Sequence, residues 1–241
     1  AFNVGFTHRK GAQQEHKFEV NPLRFRFRNG VPNRLTMTGL PTEFSGNRLT
    51  VVQDLDHDIG AYVQDKWTSG RLTVNLGVRY DYFTNSFPKQ FAGPTLFLPD
   101  RNITFPEQLG SKFHDITPRL GAAYDVFGTG KTAVKMSANK YVASLGSGGL
   151  RATGSSNPAN NLFVSTNRNW NDANGDFVPD CDLLNPAANG ECGRWSGPFG
   201  SIGATGRGRV GRGSYGEFDR GLLEGWGRRD YNWEFSAGVQ Q

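Results

Sequence analysis

The sequence predicts an all-β protein whose antiparallel strands run up and down in sequence order. Three observations support this fold class. Short segments alternate apolar and polar residues with a period of two, as half-buried strands do. Glycine (32 residues) and proline (12 residues) are scattered between these segments, which suits frequent turns. Short connections alternate with long ones along the whole chain.

The alternation predicts about seven strands. The clearest is residues 71–83, where the apolar residues Leu72, Val74, Leu76, Val78 and Tyr80 are separated by polar residues or glycine. In the second strand the pattern slips at Asn21-Pro22, which indicates a bulge or a sheet edge. The predicted strands lie at residues 2–6, 18–28, 58–67, 71–83, 119–125, 134–139 and 232–239.

The connections indicate the kind of sheet. Short turns are predicted near residues 9–15, 68–70 and 128–130, and long polar segments near 29–55, 84–115 and 144–229. An up-and-down outer-membrane barrel has short periplasmic turns, long extracellular loops, an apolar face toward lipid and a polar face toward the lumen. We therefore predict a transmembrane β-barrel segment with long extracellular loops. The alternative is a soluble secreted sandwich, which has no reason to place all its long loops at one end.

Composition excludes several classes of protein. No stretch approaches the roughly 20 apolar residues of a membrane helix, and mean hydropathy is −0.55. The net charge of +5 is spread along the chain, so no nucleic-acid partner is predicted. The glycine-rich motif at residues 206–211 lacks a preceding strand. No serine or cysteine nucleophile has a neighbouring base, and the four histidines lie in separate segments. We predict no enzymatic activity.

One polar loop carries a candidate metal site and a candidate disulfide. Oxygen-bearing side chains recur at alternating positions around a glycine, as in loops that hold calcium. The candidate calcium ligands are Asp172, Asn174, Asp176, Asp180 and Asp182. The alternative is a solvated acidic loop without metal. Cys181 and Cys192 are spaced for a local disulfide in an oxidising compartment. No other cofactor is required.

Two neighbouring segments carry a family resemblance. Residues 62–67 (YVQDKW) and 72–81 (LTVNLGVRYD) strongly resemble the barrel of TonB-dependent receptors. Residues 118–125 with Gly130-Lys131-Thr132, and residues 225–234, resemble the Oar-like subgroup, whose members carry a carboxypeptidase-regulatory-like domain before the plug. The resemblance extends over essentially the whole chain and is least specific in the long loops.

The resemblance implies a role and a location. Such receptors are 22-stranded barrels with a plug in the lumen. About seven strands cannot close such a barrel and both ends of the chain look cut, so we expect residues 1–241 to be a barrel fragment. The implied function is energy-coupled passage of a large solute, such as a carbohydrate, peptide or metal chelate, across the bacterial outer membrane. Lipid would be one partner, and TonB would bind a region outside this chain. The alternative is a secreted β-rich adhesin or structural module that binds calcium or glycans through its loops.

Overall fold

The computed structural model describes residues 1–42, 49–145, 157–202 and 219–241, and these residues are almost entirely strands and connections. A 3-10 helix at Pro158–Asn161 and a short helix α1 at Arg220–Leu223 accompany the strands. No helix within the described residues is long and apolar enough to cross a membrane. The strands are β1 (Phe2–Lys17), β2 (Leu23–Arg28), β3 (Val31–Thr38), β4 (Leu49–Ser69), β5 (Leu72–Phe87), β6 (Gln90–Ala92), β7 (Ile103–Phe105), β8 (Gln108–Asp125), β9 (Ala133–Val142), β10 (Ser165–Asn169), β11 (Glu224–Trp226) and β12 (Tyr231–Gln240).

The main sheet confirms the predicted all-β, antiparallel, up-and-down architecture. Its order is β1-β4-β5-β8-β9-β12, and every neighbour on this path is antiparallel. The short strand β11 adds to β8 in parallel and brings the sheet to seven strands. The sheet is open, with β1 and β12 at its edges. The predicted hairpins across residues 68–70 and 128–130 are present as β4–β5 and β8–β9.

The predicted turn at residues 9–15 is wrong. These residues continue β1, which pairs with β4 from Phe2 to Lys17 and absorbs a register shift between Arg9 and Gly11 as a bulge. The second predicted strand, residues 18–28, is not part of the main sheet; only its second half forms a strand, β2, in a separate three-stranded sheet. The alternation fades after Arg9, as expected for the part of a barrel strand that extends beyond lipid and needs no apolar face.

One face of the main sheet is mainly apolar along the six long strands; the exception in the row through Leu76 is Asp65 on β4. Residues that face each other in register share a face, so the row through Leu76 contains Leu120 on β8, and β9 and β12 continue the row with Ala138 and Phe235. Leu76, Leu120 and Phe235 are all exposed. A contiguous apolar surface of this kind is unfavourable in water and suits contact with lipid.

A row of aromatic and imidazole rings crosses the apolar face toward the end that carries the long connections. His57, Tyr82, His114 and Trp226 follow one another, with ring centroids 6.1, 4.8 and 4.8 Å apart, and His8 stacks on His57 at 5.3 Å. Amphipathic rings gather where membrane meets water. Three of the four histidines, although distant in sequence, therefore lie in one row at the boundary of the apolar surface.

The three long connections form one folded unit, which we call the cap (residues 18–42, 88–107 and 157–202). It contains a three-stranded sheet of order β10-β3-β2 and the hairpin β6–β7. Two of the three loops are therefore shorter than predicted, because β4, β5 and β8 extend into the predicted loop residues. The loops also contain strands of their own. Residues 43–48, 146–156 and 203–218 of the predicted loops lie outside the described residues, as does the glycine-rich motif at 206–211.

Three apolar clusters hold the cap together. The first joins Leu49 and Val51 of β4 to Phe105 and Leu162, so the cap is anchored on the main sheet. The others lie beneath the three-stranded sheet and consist of Leu35, Trp170 and Cys192, and of Met37, Phe97 and Phe199. Burial of side chains from all three connections explains why these polar segments fold as one body.

Two arginines are buried in the cap and bind backbone carbonyls. Arg101 donates to the carbonyls of Gly93 and Gly39 at 2.9 and 2.6 Å and so ties the β6–β7 connection to the end of β3. Arg168 donates to three carbonyls in the loop closed by the cysteines and to the Gly193 carbonyl just after it. Burial lowers the pKa of both guanidinium groups. Each supplies several donors in a fixed geometry to segments that have no sheet partner for those carbonyls.

Candidate functional site

The polar face of the main sheet carries a cavity of about 590 Å³. It lies beside the half of β4 that is remote from the β4–β5 turn, near the end of the sheet that carries the cap. The predicted polar face is thus the face with the cavity. Charged and polar side chains from several strands line the cavity, among them Arg9, Asp54, Asp58, Arg79, Asp81, Thr117, Arg119 and Arg229.

Three ion pairs line the wall of the cavity: Arg9 with Asp58, Arg79 with Asp81 and Arg229 with Asp115. Asp81 on β5 lies directly opposite Asp115 on β8, a placement in which like charges repel. Arg79 Nε donates to Asp81 at 2.8 Å, and Arg229 Nε donates to Asp115 at 2.8 Å. The side chains of Asp115 and Arg229 are 0% and 8% exposed. Pairing offsets part of the cost of burying the charges of Asp115 and Arg229.

The pair between Arg229 and Asp115 leaves hydrogen-bonding capacity unused. Asp115 Oδ1 and Arg229 Nη2 are buried and have no partner among the described residues. Arg229 lies in the short segment between β11 and β12, at the end of the long connection that follows β9. From there its side chain contacts Asp115 on β8. This pair therefore joins the end of the cap connection to the wall, and unpaired buried donors and acceptors of this kind favour a polar ligand or water.

Small residues on the polar face make room for large cationic ones. A side chain at Gly60 on β4 would collide with the Arg79 guanidinium, and Thr7 Oγ1 would lie 2.9 Å away. Arg119 lies over the Tyr141 ring, 5.2 Å from its centroid. These contacts hold the guanidinium groups against the wall. The site is a polar, mainly cationic surface in which arginines from four different segments face one cavity.

The candidate disulfide is present in the cap. Cys181 and Cys192 are bonded, and their Cα atoms are 5.9 Å apart. We call residues 170–193 the disulfide loop. Glu191 organises its first half by accepting hydrogen bonds from the Ala173 and Asp180 N–H groups at 2.6 and 3.3 Å and from Trp170 Nε1 at 3.3 Å. The bond from Ala173 lowers the pKa of Glu191.

The structure links three of the five predicted calcium ligands by hydrogen bonds: Asn174, Asp176 and Asp180. Asn174 Nδ2 donates to both Asp176 and Asp180, at 3.1 and 2.9 Å, and the carboxylate of Asp172 accepts from two backbone N–H groups. Asp182 is separate and accepts from the Leu184 N–H at 2.9 Å. Among the described residues, no three acidic, histidine or cysteine side chains are placed to hold a metal ion. Calcium binding stays a prediction.

Several residues of the site were missed by the sequence analysis. Arg9 fell in the predicted turn, Asp115 at the end of a predicted loop, and Arg229 in another predicted loop. Arg79 was placed correctly on the polar face by the alternation of β5. The only signal for the others was charge in a segment that lacks periodicity, which is common in solvated loops as well.

Comparison with known proteins gives one match. A sequence model of the family described as "Outer membrane beta barrel domain" matches residues 2–205. This region includes the main sheet from β1 to β9 and the described cap. No curated protein matches, and no solved structure matches.

Proposed function

Because this chain belongs to the outer membrane beta barrel domain family and its place is the bacterial outer membrane, we propose that it supplies barrel wall and solute-capturing cap for energy-coupled, TonB-dependent passage of a large solute. The observation that carries the proposal is the charged cavity on the polar face, beside strands that also anchor the cap. Family membership favours this role over a secreted adhesin that never contacts a membrane.

Strand length supports a barrel that projects above the membrane. A tilted transmembrane strand needs about 9–11 residues. β4 has 21 residues and β8 has 18, so the N-terminal half of each extends beyond the apolar surface and supports the cap. A solute held at the cavity would lie between cap and lumen. We identify no catalytic arrangement of side chains among the described residues, and we propose transport without catalysis.

The chemistry of the cavity suggests an anionic or strongly hydrogen-bonding solute. Arg9, Arg79 and Arg229 are each paired with a carboxylate, whereas Arg119 contacts an aromatic ring and makes no ion pair with any other described residue. Carbohydrates, peptides and metal chelates all carry suitable oxygen acceptors. Planar guanidinium groups bind carboxylates in two-point contacts, which would orient such a solute.

Uptake by cells that produce the intact protein tests the proposal. Labelled oligosaccharides, peptides and iron chelates are supplied with and without a protonophore that collapses the inner-membrane proton gradient. We expect one class to accumulate only in energised cells, and Arg119→Gln to reduce its uptake while surface amounts of the protein stay unchanged. Arg71→Gln, in the β4–β5 turn at the other end of the sheet, is the control. Accumulation that the protonophore does not affect would contradict energy coupling.

A further inference from the structure

The solvent side of the three-stranded cap sheet carries a row of arginines, which we call the arginine face (Arg24, Arg26, Arg28 and Arg34). The first three alternate along β2, and Arg34 lies directly opposite Arg26 on β3. Like charges in this position destabilise a sheet. Arg24 pairs with Glu19 at 3.3 Å, but the other three make no ion pair within the described residues. The protein thus maintains an uncompensated cationic row at a cost in stability.

β2 is also an open edge. It is the last strand in the order β10-β3-β2, and no described backbone group bonds to its outer side. The N–H of Leu23 donates to Asn21 Oδ1 at 3.1 Å, and the alternate N–H and C=O groups further along that side are open to another strand. The arginine face is continuous with this edge, because the arginines and the free backbone groups belong to the same six residues.

The other face of β2 offers apolar rings. Phe25 and Phe27 pack edge-on against Trp170, with ring centroids 5.4 and 6.3 Å away, and Phe177 lies 6.1 Å from Phe27. Phe27 and Phe177 nevertheless stay 46% and 57% exposed. Phe177 has φ +61°, a left-handed backbone conformation that is unfavourable for a bulky residue. The cap thus holds a strained aromatic residue at the surface beside the open edge.

We propose that the cap binds an extended acidic peptide as an added strand on the edge of β2. Alternate side chains of a strand lie about 6.8 Å apart on one face, so acidic residues at every second position would match the spacing of Arg24, Arg26 and Arg28. The intervening apolar residues would fall on the side of Phe27 and Phe177. Main-chain hydrogen bonds provide affinity in such complexes, and alternate side chains provide specificity. This binding belongs to the cap alone and does not depend on transport.

Fluorescence anisotropy on the intact protein in detergent tests the proposal, with a labelled peptide that alternates glutamate and valine as the probe. We expect saturable binding that weakens with salt, and that falls about tenfold for a peptide of the same composition with its glutamates grouped together. N-methylation of alternate backbone nitrogens on the pairing edge should abolish binding. Arg26→Ser with Arg28→Ser should weaken it about tenfold, whereas Arg71→Ser should leave it unchanged.

A charge exchange protects the test against misfolding of the variant. Arg26→Glu should lose the glutamate peptide and gain affinity for a peptide with lysine at the matching position. Equal binding of the alternating, grouped and N-methylated peptides would overturn strand addition. Absence of binding would mean that the arginines only protect the edge from aggregation, and tighter binding of an acidic polysaccharide at the same site would assign the face to glycans.

Discussion

Replacement of Arg168 by methionine should unfold the disulfide loop locally. The guanidinium is buried in the cap and donates to the carbonyls of Gly193, Asp182, Ala187 and Asn185 at 2.8, 3.1, 3.1 and 3.3 Å. A hydrogen bond to a charged group contributes about 1.5–3 kcal/mol, but the four are not additive because freed carbonyls regain some water. We expect Arg168→Met to cost about 3–5 kcal/mol of local stability.

Hydrogen exchange on the intact protein in detergent measures this loss. Amides of the disulfide loop should exchange roughly 100- to 3000-fold faster in Arg168→Met, the change that corresponds to this energy. In Arg168→Lys the exchange rates should lie between those of the unmodified protein and Arg168→Met. The lysine ammonium keeps the charge but cannot reproduce the planar arrangement of guanidinium donors. Arg194→Met, exposed in the next segment, is the matched control. Unchanged protection in Arg168→Met, or equal loss throughout the main sheet, would refute the assigned role of Arg168.

Three further predictions concern the sheet and the disulfide loop. Leu76→Arg, at a position 54% exposed on the apolar face, should cost about 2–4 kcal/mol if that face meets lipid, and the neighbouring Asn75→Arg much less; equal heat resistance of both variants on gels would contradict the orientation. Because the pKa of Glu191 is lowered in the folded protein, its carboxylate stabilises the disulfide loop fully above the ordinary glutamate pKa of about 4.3. This stabilisation is lost as the pH falls through the lower pKa that Glu191 has in the folded protein. Glu191→Gln should therefore speed proteolysis of the disulfide loop at neutral pH and flatten its dependence on acid, measured by digestion with pepsin and with a neutral protease. Reductant should accelerate cleavage of the disulfide loop and calcium should slow it; equal rates in all four combinations would mean that neither the disulfide nor the metal orders the loop.

The membrane-facing half of the main sheet could be predicted from the sequence alone. A strand between lipid and a polar lumen must alternate, because each successive side chain points to the opposite face. Residues 71–83 obey this rule, and their partner strands and both tight hairpins followed from the same pattern. The disulfide was predictable as well, since its two cysteines lie close together in the chain.

The cap and most of the cavity were decided by tertiary structure. Above the membrane both faces of a strand can meet water, so the alternation that revealed the lower strands disappears, and residues 9–15 resembled a turn although they continue β1. The cap core joins Leu49, Phe105 and Leu162, which are 56 or more positions apart, and no local pattern records such contacts. The pair between Asp115 and Arg229 likewise forms only when the longest connection returns to β8, because attraction between charges depends on their distance in space and not along the chain.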